Sequence, residues 1–127
     1  MTPGLVLAVA AGGALGAVLR YLTTVALAGR EQPPGPVVIV NIVGSLVSGV
    51  AIGAIDDPVV LLVVVTGFCG GLTTFSTLSV ETVQLVMDGR AKRATGGMLV
   101  NFIAGTLAVA LGAVLGGLLG ALPGGAG

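Results

Sequence analysis

The sequence predicts an all-α membrane protein with four transmembrane helices, the third of them broken near its centre. Only 8% of its 127 residues are charged and 55% are hydrophobic, whereas a soluble domain carries about 25% charged residues. Four apolar segments each reach the ~20 residues that a spanning helix needs. The 23 glycines fit helices that pack closely in lipid. We therefore expect residues 1–127 to form one four-helix transmembrane domain.

The first two helices are predicted at about residues 4–28 and 36–55. The first segment has no basic residues before it and is longer than a signal peptide, so we interpret it as a retained helix. Residues 29–35, rich in Pro and Gly, connect the two helices. The turn Asp56-Asp57-Pro58 leads into the third segment.

The third helix is predicted at about residues 58–87 and the fourth at about 94–122. At ~1.5 Å per residue, the third is too long for one perpendicular helix. Its centre holds Gly70-Gly71 and a cluster of hydroxyl side chains, which favours two half-helices around a break. Backbone groups freed at membrane depth must be buried in protein or face a polar cavity. Such breaks recur where ions or small solutes bind.

The charges of the loops predict one orientation. With four spans, loops 29–35 and 88–93 lie on the same side and hold Arg30, Arg90, Lys92 and Arg93, whereas Asp56 and Asp57 lie opposite. By the positive-inside rule, loops 29–35 and 88–93 are cytoplasmic and both termini lie outside the cell's inner (plasma) membrane. The bias predicts insertion in one orientation only.

Polar side chains inside the second and third segments have a structural and a functional interpretation. Asn41 either bonds a neighbouring helix or, with Ser45 and Ser48 on the same face, forms part of a polar site. The hydroxyls near Gly70-Gly71 either bond back to helix carbonyls or accompany a break. Carbonyls before that break suit a hard cation such as Na⁺, and N–H groups after it suit an anion.

Three further residues carry candidate functions. Glu81 is either a hydrogen-bond hub or part of a proton or anion route, because ionisable residues at this depth usually face the bundle interior. Arg20 either extends to the cytoplasmic interface or draws anions towards a vestibule. Phe75 either packs against its neighbours or lipid, or turns its positive ring edge to a small anion.

Other classes of function are excluded by composition. The chain has no His and a single Cys69, so we expect neither an intrachain disulfide nor a Cys/His metal site. A net charge of zero argues against a nucleic-acid partner. No nucleophile with a base and no phosphate-binding loop is present, so we predict that the protein is not an enzyme.

The central motif of the chain resembles that of the small bacterial fluoride channels, the Fluc or CrcB-like family. Residues 67–77 read Gly-Phe-Cys-Gly-Gly-Leu-Thr-Thr-Phe-Ser-Thr, residues 41–45 read Asn-Ile-Val-Gly-Ser, and residues 16–21 read Gly-Ala-Val-Leu-Arg-Tyr. The resemblance extends over the whole chain, including its length, its four spans and the order of the motifs.

This resemblance implies an antiparallel, dual-topology dimer with two fluoride pores, embedded in membrane lipid. It implies a structural Na⁺ at the dimer centre, held by the backbone carbonyls of Gly70 and Thr73. The residues that match the family's fluoride pathway are Asn41, Phe75, Ser76, Thr77, Glu81 and Arg20. Asn101 aligns with a polar pore position that is often a tyrosine. The implied function is passive fluoride efflux that protects the cell from fluoride toxicity.

Two features depart from the family pattern. Leu78 stands where the motif usually has a second phenylalanine, and a leucine has no aromatic edge. The one-sided loop charges do not suit a subunit that inserts both ways. Together they suggest one half of a heterodimer, although a homodimer stays open, as does a non-conducting structural subunit. A proton-coupled small multidrug exporter is a further alternative, but the first helix lacks the carboxylate that class needs.

Residues 40–46 and 100–106 are weakly similar to each other, Val-Asn-Ile-Val-Gly-Ser-Leu against Val-Asn-Phe-Ile-Ala-Gly-Thr. We interpret this similarity as chance or as a shared packing requirement.

Overall fold

The computed structural model describes residues 2–29 and 35–122, and these residues confirm the predicted helical membrane protein. Within them, four spans are long and apolar enough to cross a membrane, judged by length and composition. Helix α1 covers Pro3–Ala26 and α2 covers Pro36–Ala54. The third span, Pro58–Met87, divides into α3 (residues 58–72) and α4 (Ser76–Met87). Helix α5 covers Ala91–Gly120.

Five of the eight predicted helix ends differ from the structure by one to three residues, and the ends at Pro36, Pro58 and Met87 agree with it. The first, second and fourth helices end at Ala26, Ala54 and Gly120 rather than at 28, 55 and 122. The fourth begins at Ala91 rather than at 94, because the turn before it is tight: Gly89 has a φ of 78°, and the Arg90 N–H bonds the Leu85 carbonyl at 2.7 Å. Loop 29–35 falls largely outside the described residues.

Proline and side-chain caps begin three of the helices. Pro3, Pro36 and Pro58 each occupy the first helical position, where a missing N–H is harmless and the fixed φ suits a helix. Thr2 Oγ1 accepts from the Leu5 N–H at 3.2 Å. Asp57 Oδ1 accepts from the Val59 N–H at 2.8 Å, so the predicted turn at 56–58 also caps α3.

The break lies at Thr73–Phe75, within the predicted segment of glycines and hydroxyls but after Gly70-Gly71. Both glycines are helical, and the chain first becomes extended at Thr73, with φ −83° and ψ 158°. Gly71 serves packing instead, because a Cβ there would collide with the backbone carbonyl of Gly13 in α1. Before the break, Leu62–Cys69 is π-helical, a form that appears often at functional sites.

The helices pack as two parallel pairs. In the α1–α3 pair, Gly67 lies against Val9, and Gly71 lies against Gly13. In the α2–α5 pair, Gly49 faces Val109 and Gly53 faces Ala113. In each pair the contacts advance along both chains in the same direction, so the helices run parallel.

Glycines that lie four residues apart occupy these contacts within one chain. Gly12 and Gly16 pack against α3, Gly49 and Gly53 against α5, and Gly112 and Gly116 against α2. Close packing of these glycines therefore holds the subunit itself together. The outer faces are apolar and exposed along α1 and α5, as expected for surfaces that meet lipid or another chain.

Two adjacent glycines of α5 test this packing. A Cβ on Gly116 would collide with the Val50 carbonyl, whereas a Cβ on Gly117 meets nothing within 4 Å. We expect Gly116→Ala to lower the free energy of unfolding by about 1–3 kcal/mol, the usual cost of overpacking.

The matched control, Gly117→Ala, should leave stability unchanged or raise it by up to ~1 kcal/mol through helix propensity. Unfolding of both variants in mixed micelles measures the difference. Equal stability of the two variants would contradict the close α2–α5 contact.

Candidate functional site at the break of the third span

Two backbone hydrogen bonds of a regular helix are replaced at the break. In a continuous helix the Thr74 N–H would bond the Gly70 carbonyl, but here it donates to Asn41 Oδ1 at 2.9 Å. The Thr77 N–H would bond the Thr73 carbonyl, but here it donates to Thr74 Oγ1 at 3.2 Å. The carbonyls of Gly70 and Thr73 are thereby released from their helical donors.

Asn41 holds the break through a single peptide-like contact with Thr74. Its Oδ1 accepts from the Thr74 N–H, and its Nδ2 donates to the Thr74 carbonyl at 3.1 Å. The second N–H of Nδ2 donates to Asn101 Oδ1 at 3.0 Å. Both Asn41 donors are therefore engaged with oxygen atoms of the chain. The structure supports the interhelical interpretation of Asn41 and extends it, because the partner is backbone as well as side chain.

The side chain of Thr74 caps the start of α4. Its side chain is 9% exposed, and its Oγ1 accepts from the N–H three residues later, as an N-cap does. Oγ1 also donates to Thr77 Oγ1 at 3.3 Å and lies 3.4 Å from Ser76 Oγ. Thr73, in contrast, bonds back to the Cys69 carbonyl at 2.9 Å, the ordinary behaviour of a hydroxyl in a helix.

Arg20 lies against the C-terminal end of α3. Its Nη1 donates to the Thr73 carbonyl at 3.2 Å, the same carbonyl that lost its helical donor. The end of a helix carries partial negative charge, so a guanidinium is stabilised there. Arg20 thus points to the break rather than only to the membrane interface.

A shallow cavity of about 230 Å³ opens beside the break. It is lined by side chains of three helices and by the break itself: Asn41, Ser45, Thr73, Thr74, Phe75, Leu78 and Asn101. The lining combines amide and hydroxyl groups with one aromatic ring and one aliphatic side chain. It can offer hydrogen-bond donors and acceptors to a small solute but carries no formal charge.

The predicted pathway residues divide into three groups around this cavity. Asn41 and Phe75 line it, and Phe75 is 70% exposed, so its ring is not packed in the subunit core. Ser76 and Thr77 lie beside it through their contacts with Thr74. Glu81 is exposed further along α4 and is not among the residues that line the cavity.

Leu78 contacts both the cavity and the hydrophobic core of the subunit. It lines the cavity, and it is only 4% exposed in a cluster with Val37 and Val38, flanked by Ile42 and Met98. The residue that departs from the family motif is therefore a packing residue of this subunit as well as part of the cavity wall.

Two residues that line the cavity, Thr74 and Asn101, were not among the predicted residues of the fluoride pathway. The role of Thr74 could have been predicted from its position, because a threonine three residues before Thr77 can cap the Thr77 N–H. The signal for Asn101 is the similarity of residues 40–46 to 100–106. Because α2 and α5 are parallel, the equivalent residues Asn41 and Asn101 meet, and Ser45 Oγ lies near Gly105. The similarity thus corresponds to facing segments.

Replacing Asn41 tests whether it holds the break. In Asn41→Ala the N–H and carbonyl of Thr74 lose their partner, and each unsatisfied group costs about 1–3 kcal/mol. We expect a lower free energy of unfolding and faster amide hydrogen exchange at residues 73–75. Asn41→Asp retains an acceptor for the Thr74 N–H and should be affected less.

Ser48→Ala is the matched control for this experiment, since Ser48 lies on the same helix and no side-chain hydrogen bond joins it to the described residues. Exchange at 73–75 that is equally slow in Asn41→Ala and Ser48→Ala would show that the break does not depend on Asn41.

Comparison with known proteins gives a consistent result over most of the chain. The family described as "CrcB-like protein, Camphor Resistance (CrcB)" matches residues 7–113. The chain is 46% identical over 106 residues to "Fluoride-specific ion channel FluC 2" of Natronomonas pharaonis, covering 84% of this chain and 89% of that protein.

Bacterial relatives give similar values. Identity is 43% over 112 residues with "Fluoride-specific ion channel FluC 1" of Yersinia pseudotuberculosis, covering 83% of this chain and 87% of that protein. Identity is 41% over 113 residues with "Fluoride-specific ion channel FluC" of Pseudomonas aeruginosa, covering 84% of this chain and 87% of that protein. The matching family is not that of the small multidrug exporters. With four apolar spans and this match, the chain is a multi-pass membrane protein that belongs to the CrcB-like family.

Proposed function

We propose that this protein is a subunit of a fluoride-specific ion channel that lets fluoride leave the cell passively. The observation that carries the proposal is the uncharged cavity at the break of the third span, where amide and hydroxyl groups lie beside Phe75 and Leu78. The names of the relatives, which describe fluoride-specific ion channels, identify the ion. The proposed pathway runs past Asn41, Phe75, Ser76 and Thr77, with Arg20 at the break and Glu81 further along α4.

Fluoride must exchange its water for donors of the protein, because moving a bare ion into a medium of low dielectric is costly. Amide and hydroxyl groups and the positive edge of Phe75 supply such donors. They carry no full charge and so hold the ion weakly enough to release it, which conduction requires.

The membrane potential sets the direction of transport. A membrane that is negative inside drives an anion outwards with ~2.3 kcal/mol per charge per 100 mV. No bond of a substrate is made or broken, so the protein acts as a channel rather than an enzyme. Passive efflux would protect a cell whose acidic surroundings deliver HF.

The proposed orientation places the subunit in the inner (plasma) membrane, with loops 29–35 and 88–93 in the cytoplasm and the termini outside. The support is the position of Arg90, Lys92 and Arg93 on one side and of Asp56 and Asp57 on the other.

The proposed assembly is an antiparallel dimer, and a heterodimer with a homologue of opposite orientation rather than a homodimer. The exposed ring of Phe75 and the apolar outer faces of α1 and α5 are surfaces that a second subunit would cover. The one-sided charges and the leucine at position 78 support unequal partners.

The proposed structural Na⁺ would be held by the backbone carbonyls of Gly70 and Thr73. The support is that these carbonyls belong to the end of α3, where the Thr74 and Thr77 N–H groups donate to Asn41 and Thr74 instead, and carbonyl oxygens suit a hard cation. When bound, the cation would offset the partial negative charge of the two α3 ends that meet in an antiparallel dimer. Arg20 stabilises the same carbonyl of Thr73 from within the subunit.

Fluoride efflux from liposomes tests the function. We expect liposomes that hold this protein together with an oppositely oriented homologue to release fluoride and retain chloride, and liposomes with this protein alone to release little. Release by the protein alone would support the channel and refute the need for a partner. If neither preparation releases fluoride although the protein is folded, the channel proposal is wrong and the non-conducting structural subunit takes its place.

Removing sodium tests the proposed cation. Assembled protein that is purified and reconstituted in K⁺ or N-methylglucamine instead of Na⁺ should lose several-fold in fluoride efflux, because the two α3 ends then lack their cation. Returning Na⁺ should restore efflux. Identical efflux with and without Na⁺ would contradict the site.

A further inference from the structure

The orientation of two amide side chains is fixed by one backbone donor. The Thr74 N–H can only donate, so the atom of Asn41 that it meets at 2.9 Å is the oxygen Oδ1. The nitrogen of Asn41 must then face the Thr74 carbonyl and Asn101. Since that nitrogen can only donate, Asn101 presents its own oxygen to Asn41 at 3.0 Å.

It follows that the –NH₂ group of Asn101 is turned away from Asn41. No hydrogen bond joins this nitrogen to the residues that the structure describes, although Asn101 lines the cavity. Every buried side-chain nitrogen or oxygen among those residues has a partner, so the Asn101 nitrogen is accessible. In a membrane-embedded site, two unpaired N–H donors favour an anion or another acceptor.

We infer that the Asn101 –NH₂ group, oriented by Asn41, is the donor that meets the anion in this cavity, and that Asn41 acts as a positioning residue. This inference rests on the proposed fluoride conduction and refines it by naming the donor. The contrasting possibility is that Asn41 itself binds the anion and that the Asn101 oxygen competes for its N–H.

Two substitutions at position 101 separate these possibilities. Asn101→Asp retains an oxygen for the Asn41 N–H but removes both donors. Asn101→Ala removes the oxygen and the donors and adds no charge. If Asn101 is the donor, both variants lower fluoride efflux by about tenfold or more, as expected for a lost hydrogen bond to an ion. Slow hydrogen exchange at residues 73–75 in Asn101→Asp shows that the break is intact.

Either of two results would overturn the inference. A rise in efflux in Asn101→Ala would mean that the Asn101 oxygen holds back a donor of Asn41. Unchanged efflux in Asn101→Asp would mean that conduction needs only the side-chain oxygen at position 101, which accepts from Asn41, and not the –NH₂ group.

Binding can be measured without conduction, so a failure of the proposed function stays distinguishable. The chain has four side-chain amides, in Gln32, Asn41, Gln84 and Asn101, which suits ¹⁵N NMR of the full chain in micelles, alone and with a homologue. Fluoride, but not chloride, should shift the Asn101 –NH₂ signals most, and Asn101→Asp identifies them by their loss.

A larger shift of the Asn41 signals, or no shift at Asn101, would refute the assignment whether or not the liposomes conduct. A shift at Asn101 in a preparation that contains the homologue and still does not conduct would support the binding site and reject the channel.

Discussion

The structure depends on the rule that backbone donors and acceptors must be paired inside a membrane. A break in a spanning helix violates this rule unless other groups replace the lost bonds. Asn41 replaces them because its amide has the donor and acceptor of a peptide group, and it bonds both the N–H and the carbonyl of Thr74. The Thr74 hydroxyl then starts the next helix. Two side chains thus pair part of the backbone that the interruption of the helix leaves without helical partners.

The glycine-rich helix pairs hold those side chains in position. Close contact of α2 with α5 at Gly49 and Gly112 fixes the relative height of the two helices and therefore the meeting of Asn41 with Asn101. Close contact of α1 with α3 similarly brings Arg20 to the Thr73 carbonyl. Small residues act here as spacers that set the register of polar groups, so packing and site geometry are linked.

Much of the fold followed from composition and segment length, and the details that were missed share one physical origin. Four spans, a broken third span and the importance of Asn41 were predictable. The exact residues of the break were not, because Gly70-Gly71 is a typical helix-breaking pair, whereas Gly71 stays helical and is needed for contact with Gly13. Tertiary contacts decided between those roles. The partnership of Asn41 with Asn101 likewise required knowing that α2 and α5 run parallel.

The chemistry of the cavity lining has a consequence for its response to acid. Asparagine amides, serine and threonine hydroxyls, phenylalanine and leucine do not ionise between acidic and neutral pH, and the lining contains no other side-chain type. Its pattern of donors and acceptors is therefore the same in an acidic medium, where HF enters cells, as in a neutral one. Any effect of protons on this protein has to act through groups outside the lining, such as Glu81, and not through the surfaces that would touch the ion.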